Sequence, residues 1–408
     1  MSQFDPTSIR ADFPILDQEV NGAPLVYLDN AATSQTPTQV SETISRYYGE
    51  INSNIHRGTH KLAREATLAH EAARTTISKH LNAEHDHEII FTSGTTDSIN
   101  LVSNTLALSG IVNKDDHIII SGLEHHSNIV PWQMLCERTG AELKVIPVID
   151  NGTLDLDAYK ALLSERTKLV AVTHVSNALG TINPINDIIA AAKTVKALTL
   201  VDGAQSAPHM AVDVQALGCD FYTFSGHKTY GPTGIGVLYG KENILDSLPP
   251  WRGGGEMIKE VTFEKTTYND LPFKFEAGTP DIEGAISLAS AIDYMNAIGM
   301  DNISSHESLL EQHASSALSE IPGIQFFGTS TQKAAVISFL VDGIHHYDMG
   351  TLMDQMGVAV RTGHHCCQPL MARYGITGTV RASFAAYNTM EDVDKLVYSV
   401  RKASMMLG

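Results

Sequence analysis

The residues with the most chemical content stand at the ends of strand-like runs. Lys228 lies in Phe224-Ser225-Gly226-His227-Lys228-Thr229, directly after a run that reads as a buried strand, Cys219 to Phe224. A Gly-rich turn follows, Tyr230 to Gly236, leading into a second short strand, Ile235 to Leu238. An amine held there acts as a nucleophile once burial near cationic groups keeps it neutral. A lone lysine is ordinarily a solvated surface cation. Here Ser225 and His227 flank it as compact hydrogen-bonding groups. Asp202-Gly203-Ala204-Gln205 closes the run Leu198 to Val201, and Thr92-Ser93-Gly94-Thr95-Thr96 closes another and opens a helix. Polar strand ends from one parallel sheet meet at one edge, where α/β folds place ligands.

A second group lies near the C-terminus. Arg381 sits in Val380-Arg381-Ala382-Ser383-Phe384, among small and apolar residues. A buried arginine needs a partner, and a bidentate carboxylate suits its geometry; a structural ion pair is the plainer alternative. Arg361-Thr362-Gly363-His364-His365-Cys366 is a polar loop. Free cysteines are often buried and inert, but Cys366 is not embedded in an apolar run.

Asp-x-Ala-Gln followed by Ser-x-His-Lys resembles the signature of fold-type I, class V pyridoxal phosphate enzymes, and the resemblance extends over nearly the whole chain. With the loop ending in Cys366 it narrows to group II, Suf-type cysteine desulfurases. The resemblance implies pyridoxal 5'-phosphate as cofactor, with Lys228 taking up its aldehyde. Asp202 would partner the pyridinium nitrogen and keep it protonated, although an aspartate after a strand is also a common helix cap. Gln205 would donate to the phenolate oxygen. Thr95 and Thr96, at a helix start, suit phosphate capture, or routine capping. Ser225 and His227 would complete the phosphate cup. His125, in Glu124-His125-His126-Ser127-Asn128, would stack on the pyridine face. Asn177 would face the ring substituents, and Arg381 would hold the α-carboxylate. Thr279 matches the position that reaches the neighbouring subunit's phosphate, which implies a homodimer with shared sites.

The reaction so implied takes L-cysteine to L-alanine and leaves its sulfur on Cys366 as a persulfide. Selenocysteine lyase activity fits the same site. A SufE- or SufU-like sulfur acceptor and the iron–sulfur assembly machinery are the implied partners. His364 and His365 are candidates for local electrostatics. Cys367, directly after the nucleophile, departs from the small or apolar residue expected there. Another class V lyase or aminotransferase is the competing enzyme reading, and Cys366 argues against it. A scaffold that keeps only the fold is opposed by Lys228. A dinucleotide site is opposed by the lack of Gly-x-Gly-x-x-Gly after the first strand.

The elements that must position these residues alternate from Glu88 onward. Apolar runs at 89–91, 117–121, 142–148, 169–175 and 198–202 are separated by helical patterns at 96–108, 129–139, 156–164 and 185–197. Such runs imply a mostly parallel sheet covered by helices on both faces, an α/β fold. A long helix, about Lys61 to Leu81, precedes them. Two turn-rich loops interrupt the rhythm between 250 and 281, and long loops inside domains are usually functional. The expected organisation is an N-terminal segment, 1–20, packing with the small domain. A large cofactor-binding domain, 21–290, follows, and then a small α+β domain, 291–408, carrying the cysteine loop. The smaller domain reads as helix, strand (Val336 to Leu340), helix (Tyr347 to Met356), short strand (Ala359 to Arg361) and terminal helix.

Composition bounds the rest. A chain of 408 residues suits two domains. Its net charge of −18 disfavours general nucleic-acid binding. Met1 to Pro14 lacks the apolar segment of a signal peptide, and no uncharged apolar run reaches about 18 residues, so no membrane span is expected. Four cysteines are too few for a disulfide scaffold, and without paired Cys-x-x-Cys units no zinc or other metal site is expected. A reducing cytoplasm is the expected location.

Overall fold

A computed structural model describes residues 4–408. The apolar runs form a seven-stranded sheet: β1 (Ile89–Thr92), β2 (His117–Ser121), β3 (Glu142–Ile146), β4 (Thr167–Thr173), β5 (Leu198–Asp202), β6 (Phe221–Ser225) and β7 (Gly236–Gly240). The spatial order is β1-β7-β6-β5-β4-β2-β3. Only β7 runs antiparallel to its neighbours. The C-terminal ends of β1, β2, β4, β5 and β6 therefore share one edge.

Side chains alternate across this sheet. Ile118 and Ile120 pack into one core with Ile99, Leu106 and Trp132. Ile119, Val170 and Val201 pack into the opposite core with Ile77, Ile188 and Ile292. Both faces are covered, which is why the strands read as unbroken apolar runs. The covering helices are α1 (Thr38–Arg46), α2 (Lys61–Leu81), α3 (Thr95–Leu108), α4 (Val130–Thr139), α5 (Leu156–Leu162), α6 (Ile185–Thr194) and α7 (Ile282–Ile298).

The smaller domain has its own core around Leu310, Phe339, Ala382 and Leu396. It contains α8 (Met300–Ser319), β8 (Ile324–Phe327), β9 (Val336–Val341), α9 (His346–Gln355), β10 (Arg361–Gly363), α10 (Gln368–Tyr374), β11 (Thr379–Ser383) and α11 (Met390–Leu407). Its sheet is antiparallel, ordered β8-β9-β11-β10. Residue 290, the expected boundary, falls inside α7, which feeds Leu288, Ile292 and Met295 into the large core. Gly299, with a φ of 92°, ends that helix; α8 still feeds Ile303 into the large core and enters the smaller core from Leu310 onward.

The N-terminal segment ties the two cores together. Residues 1–3 of the expected 1–20 segment lie outside the described residues. Arg10 pairs with Asp392 at 3.2 Å, while Phe13 packs against Tyr230 and Tyr387. The segment continues past residue 20: the short strand Val26–Tyr27 pairs in parallel with Val358–Ala359, and Leu28 enters the smaller core. The single strand expected at 359–361 is in fact two, Val358–Ala359 and β10, because the chain changes partner there from the N-terminal strand to β11.

Candidate active site

The shared strand edge and the cysteine loop enclose a cavity of about 300 Å³. Thr95, Thr96, His125, Asn177, Asp202 and Gln205 line it, together with Ser225, His227, Lys228, Cys366 and Arg381. Thr279 does not. It lines a separate groove with Trp251, Arg252 and Asp281.

Lys228 closes a 3-10 turn, Gly226–Lys228, immediately after β6. Burial of its amine pulls the pKa below the usual lysine value, and Asp202 opposes that pull. Asp202 ends β5 and is only 3% exposed. Burial raises its carboxyl above the usual range, against a 2.9 Å bond from the Ala204 N–H. A cationic ring nitrogen would relieve this buried carboxylate.

The start of α3 is built as an anion seat. Its cap, Gly94, has a φ of 143° and no side chain to satisfy the first-turn N–H groups. The Thr95 N–H donates to Ser225 Oγ, and that hydroxyl donates to Thr95 Oγ1, both at 2.9 Å. Ser225 thereby locks β6 to the helix start. Thr96 remains exposed. His227 stays uncharged, its pKa lowered by burial and by Lys228 to about 4.

His125 follows β2. The Ser127 N–H donates to its Nδ1 at 3.1 Å, which leaves the proton of the neutral ring on Nε2. Burial, with the nearby Lys228, lowers its pKa to about 3, so it is neutral. Sequence reading passed over its neighbour Glu124. That carboxyl is fully buried, with its pKa raised by desolvation to about 8. It accepts from Thr173 N at 3.0 Å and Asn128 Nδ2 at 2.6 Å, and also bonds Ser121. Glu124 thus ties the ends of β2 and β4 around His125. Acidic residues are rarely buried without partners, but periodicity alone does not disclose which strand end will bury one.

Asn177 does more than line the cavity. Its Nδ2 donates to the His365 carbonyl at 2.8 Å, and Cys367 Sγ donates to its Oδ1 at 3.2 Å. Its carbonyl accepts from Arg381 Nη1 at 2.8 Å. One asparagine therefore joins the end of β4 to the cysteine loop and to β11. His365 and Cys366 both have left-handed backbones, with φ of 52° and 57°. The loop is a tight turn at these two residues. The turn sends the two cysteines apart: Cys366 into the cavity, Cys367 into the large core at 0% exposure. Burial pushes the Cys367 thiol up to about 12. His365 is buried and neutral, its pKa lowered to about 2 by desolvation. His364 Nδ1 accepts the Cys366 N–H at 3.0 Å.

Arg381 is partly engaged already. Its Nη2 donates to Asp29 Oδ1 at 3.1 Å, and Asp29 also accepts from Arg361 Nε and Nη2 at 2.8–3.1 Å. The ion-pair alternative is thus realised in part. Arg381 Nε is buried without a partner. Gln205 gives Nε2 to the Ala31 carbonyl at 2.7 Å and leaves Oε1 buried and unpaired. Orphaned buried polar atoms are costly. The unpaired Arg381 Nε donor, with the lysine, the buried carboxylate and the anion seat, fits an anionic, hydrogen-bonding group such as pyridoxal phosphate with an amino acid.

Comparison with known proteins agrees with this chemistry. A family model, Aminotransferase class-V, matches residues 26–396. The chain is 51% identical over 406 residues to a cysteine desulfurase of Salmonella agona, covering 99% of this chain and 100% of that protein. It is 50% identical over 399 residues to a cysteine desulfurase of Synechococcus elongatus, covering 98% of this chain and 64% of the relative. Among solved structures, the cysteine desulfurase CsdA of Escherichia coli superposes with a TM-score of 0.92 at 40% identity. The cysteine desulfurase of Thermococcus onnurineus gives 0.94 at 39%. Both structural matches span all of each chain.

Proposed function

We propose a division of labour in this site from the premise that the chain belongs to the class V aminotransferase family and is a pyridoxal phosphate-dependent cysteine desulfurase. The observation that carries it is the meeting of Lys228, Asp202, Arg381 and Cys366 in one cavity. Bound pyridoxal phosphate supplies an aldehyde that takes up amines and a ring that withdraws electrons. Lys228 anchors it through an amine kept neutral by burial. Asp202 holds a proton on the ring nitrogen. Thr95, Thr96, Ser225 and His227 seat the phosphate at the α3 N-terminus, and Thr279 of a second copy reaches it in a homodimer. Gln205 spends its remaining N–H on the phenolate oxygen, and neutral His125 packs on the ring face with Nε2–H as its donor.

Arg381 orients the L-cysteine carboxylate through the donors that Asp29 and Asn177 leave open. Cys366 Sγ, as thiolate, attacks the substrate sulfur. An S–S bond forms and the C–S bond breaks. Its electron pair stays with carbon, which is protonated and leaves as L-alanine. The sulfur remains on Cys366 as a persulfide. The exposed mouth of the loop suits hand-over to a SufE- or SufU-like carrier for iron–sulfur assembly in the cytoplasm. Among the described residues no helix is long and apolar enough to cross a membrane. Selenocysteine fits the same route, since its carbon–selenium bond is weaker than the carbon–sulfur bond.

The test is alanine release and persulfide formation from L-cysteine, followed with the cofactor's absorbance. The proposal predicts a change in the Lys228-bound absorbance on adding L-cysteine, followed by alanine. Absence of alanine from cofactor-loaded protein would contradict it.

A further inference from the structure

At the sheet edge remote from the cavity, where β1 begins and β7 ends, three side chains from two segments converge. His85 caps the 3-10 turn Asp86–Glu88, which contains His87. The two rings stack with centroids 4.9 Å apart. Glu242, the first residue of the short helix Glu242–Ser247, faces both. Its Oε1 lies 2.9 Å from His87 Nε2 and its Oε2 lies 3.7 Å from His85 Nε2. We propose that His85, His87 and Glu242 form a site for one divalent transition-metal ion, separate from the catalytic cavity.

The donor set selects the ion class. Imidazole nitrogens with a carboxylate suit zinc and its transition-metal neighbours, whereas magnesium and calcium prefer oxygen alone. Zinc bonds of about 2.0–2.2 Å in a tetrahedral shell set neighbouring ligand atoms roughly 3.3 Å apart. The two nitrogen–oxygen separations bracket that distance. All the ligand atoms lie within 4.8 Å of one another.

The site is also braced from behind. Glu88 is buried, and its Oε2 accepts the N–H groups of Glu84 at 3.0 Å and His85 at 3.2 Å. Its Oε1 accepts the Glu242 N–H at 2.9 Å. One carboxylate thus fixes the backbone of ligands on both segments, the role outer partners play in metal sites. The ligands are partly exposed, which leaves room for water as a fourth ligand. A second cluster, His56, His70 and Glu71, does not match it. There Arg74 Nε already sits 3.2 Å from Glu71 Oε2 and takes the cation's place.

Zinc alone is the probe. Calorimetric titration into the full-length, cofactor-loaded chain uses a non-chelating buffer and a Cys366→Ser background, so that the active-site thiol does not compete. The expected result is one zinc ion per chain bound here. His87→Ala and Glu242→Ala should each weaken that binding about tenfold or more, with cofactor absorbance and melting midpoint unchanged without zinc. Equal zinc stoichiometry and affinity in parent and variants would overturn the assignment, as would no binding by the parent at millimolar zinc.

Discussion

At the residue scale, the two adjacent cysteines differ in almost everything but chemistry. Cys366 opens to the cavity, while Cys367 is fully buried and donates to Asn177. With its thiol pushed up to about 12, Cys367 is un-ionised at neutral pH and slow toward alkylating agents. Iodoacetamide at pH 8 should therefore label Cys366 in the native protein and reach Cys367 only after denaturation, as read by peptide mapping. Early label on Cys367 would contradict the placement. Asp202→Asn should leave the fold intact and lower alanine release on the order of 10²-fold or more, because a buried charge is lost from where the reaction needs it. Turnover near that of the parent in a cofactor-loaded variant would remove Asp202 from its role.

Among the elements, the strand ends of the large sheet and the C-terminal loop are held in register by a few polar staples. Asn177→Ala removes the bonds to His365 and Cys367 together. The variant should bind cofactor yet release alanine slowly, with a larger effect on kcat than on KM, because the loop carrying Cys366 is no longer clamped to β4. A second staple is Arg74, buried in α2, which makes paired 2.7 and 2.9 Å bonds to Glu276 and a 2.7 Å bond to the Ile89 carbonyl. Arg74→Met should cost about 3–5 kcal/mol, since it strands a buried carboxylate; an unchanged melting midpoint would refute this. Sequence reading reached the elements that periodicity and strand ends mark: the parallel runs, the lysine turn and the cysteine loop. It did not reach Glu124 or the clamping role of Asn177. Those depend on which distant backbone groups arrive beside a short side chain, and no local spacing records that.

For the whole molecule, Thr279 and the hairpin Ile258–Val261 with Thr266–Tyr268 lie away from this chain's own cavity. Phe263, at the hairpin tip, is fully exposed. A large apolar side chain on a projecting hairpin suits a partner surface. The chain should therefore sediment as a homodimer, and Thr279→Ala should weaken cofactor retention although Thr279 lines no part of the cavity beside it. A fully active monomer would exclude shared sites.

The central claim is that Cys366 alone receives the substrate sulfur. A single turnover of the cofactor-loaded enzyme with L-cysteine, followed by mass spectrometric mapping of persulfide, tests it directly. The first sulfur should appear on Cys366. Cys366→Ser should form no persulfide and release little alanine, while Cys367→Ser should keep most activity. First sulfur on Cys367, with normal turnover by Cys366→Ser, would contradict the account.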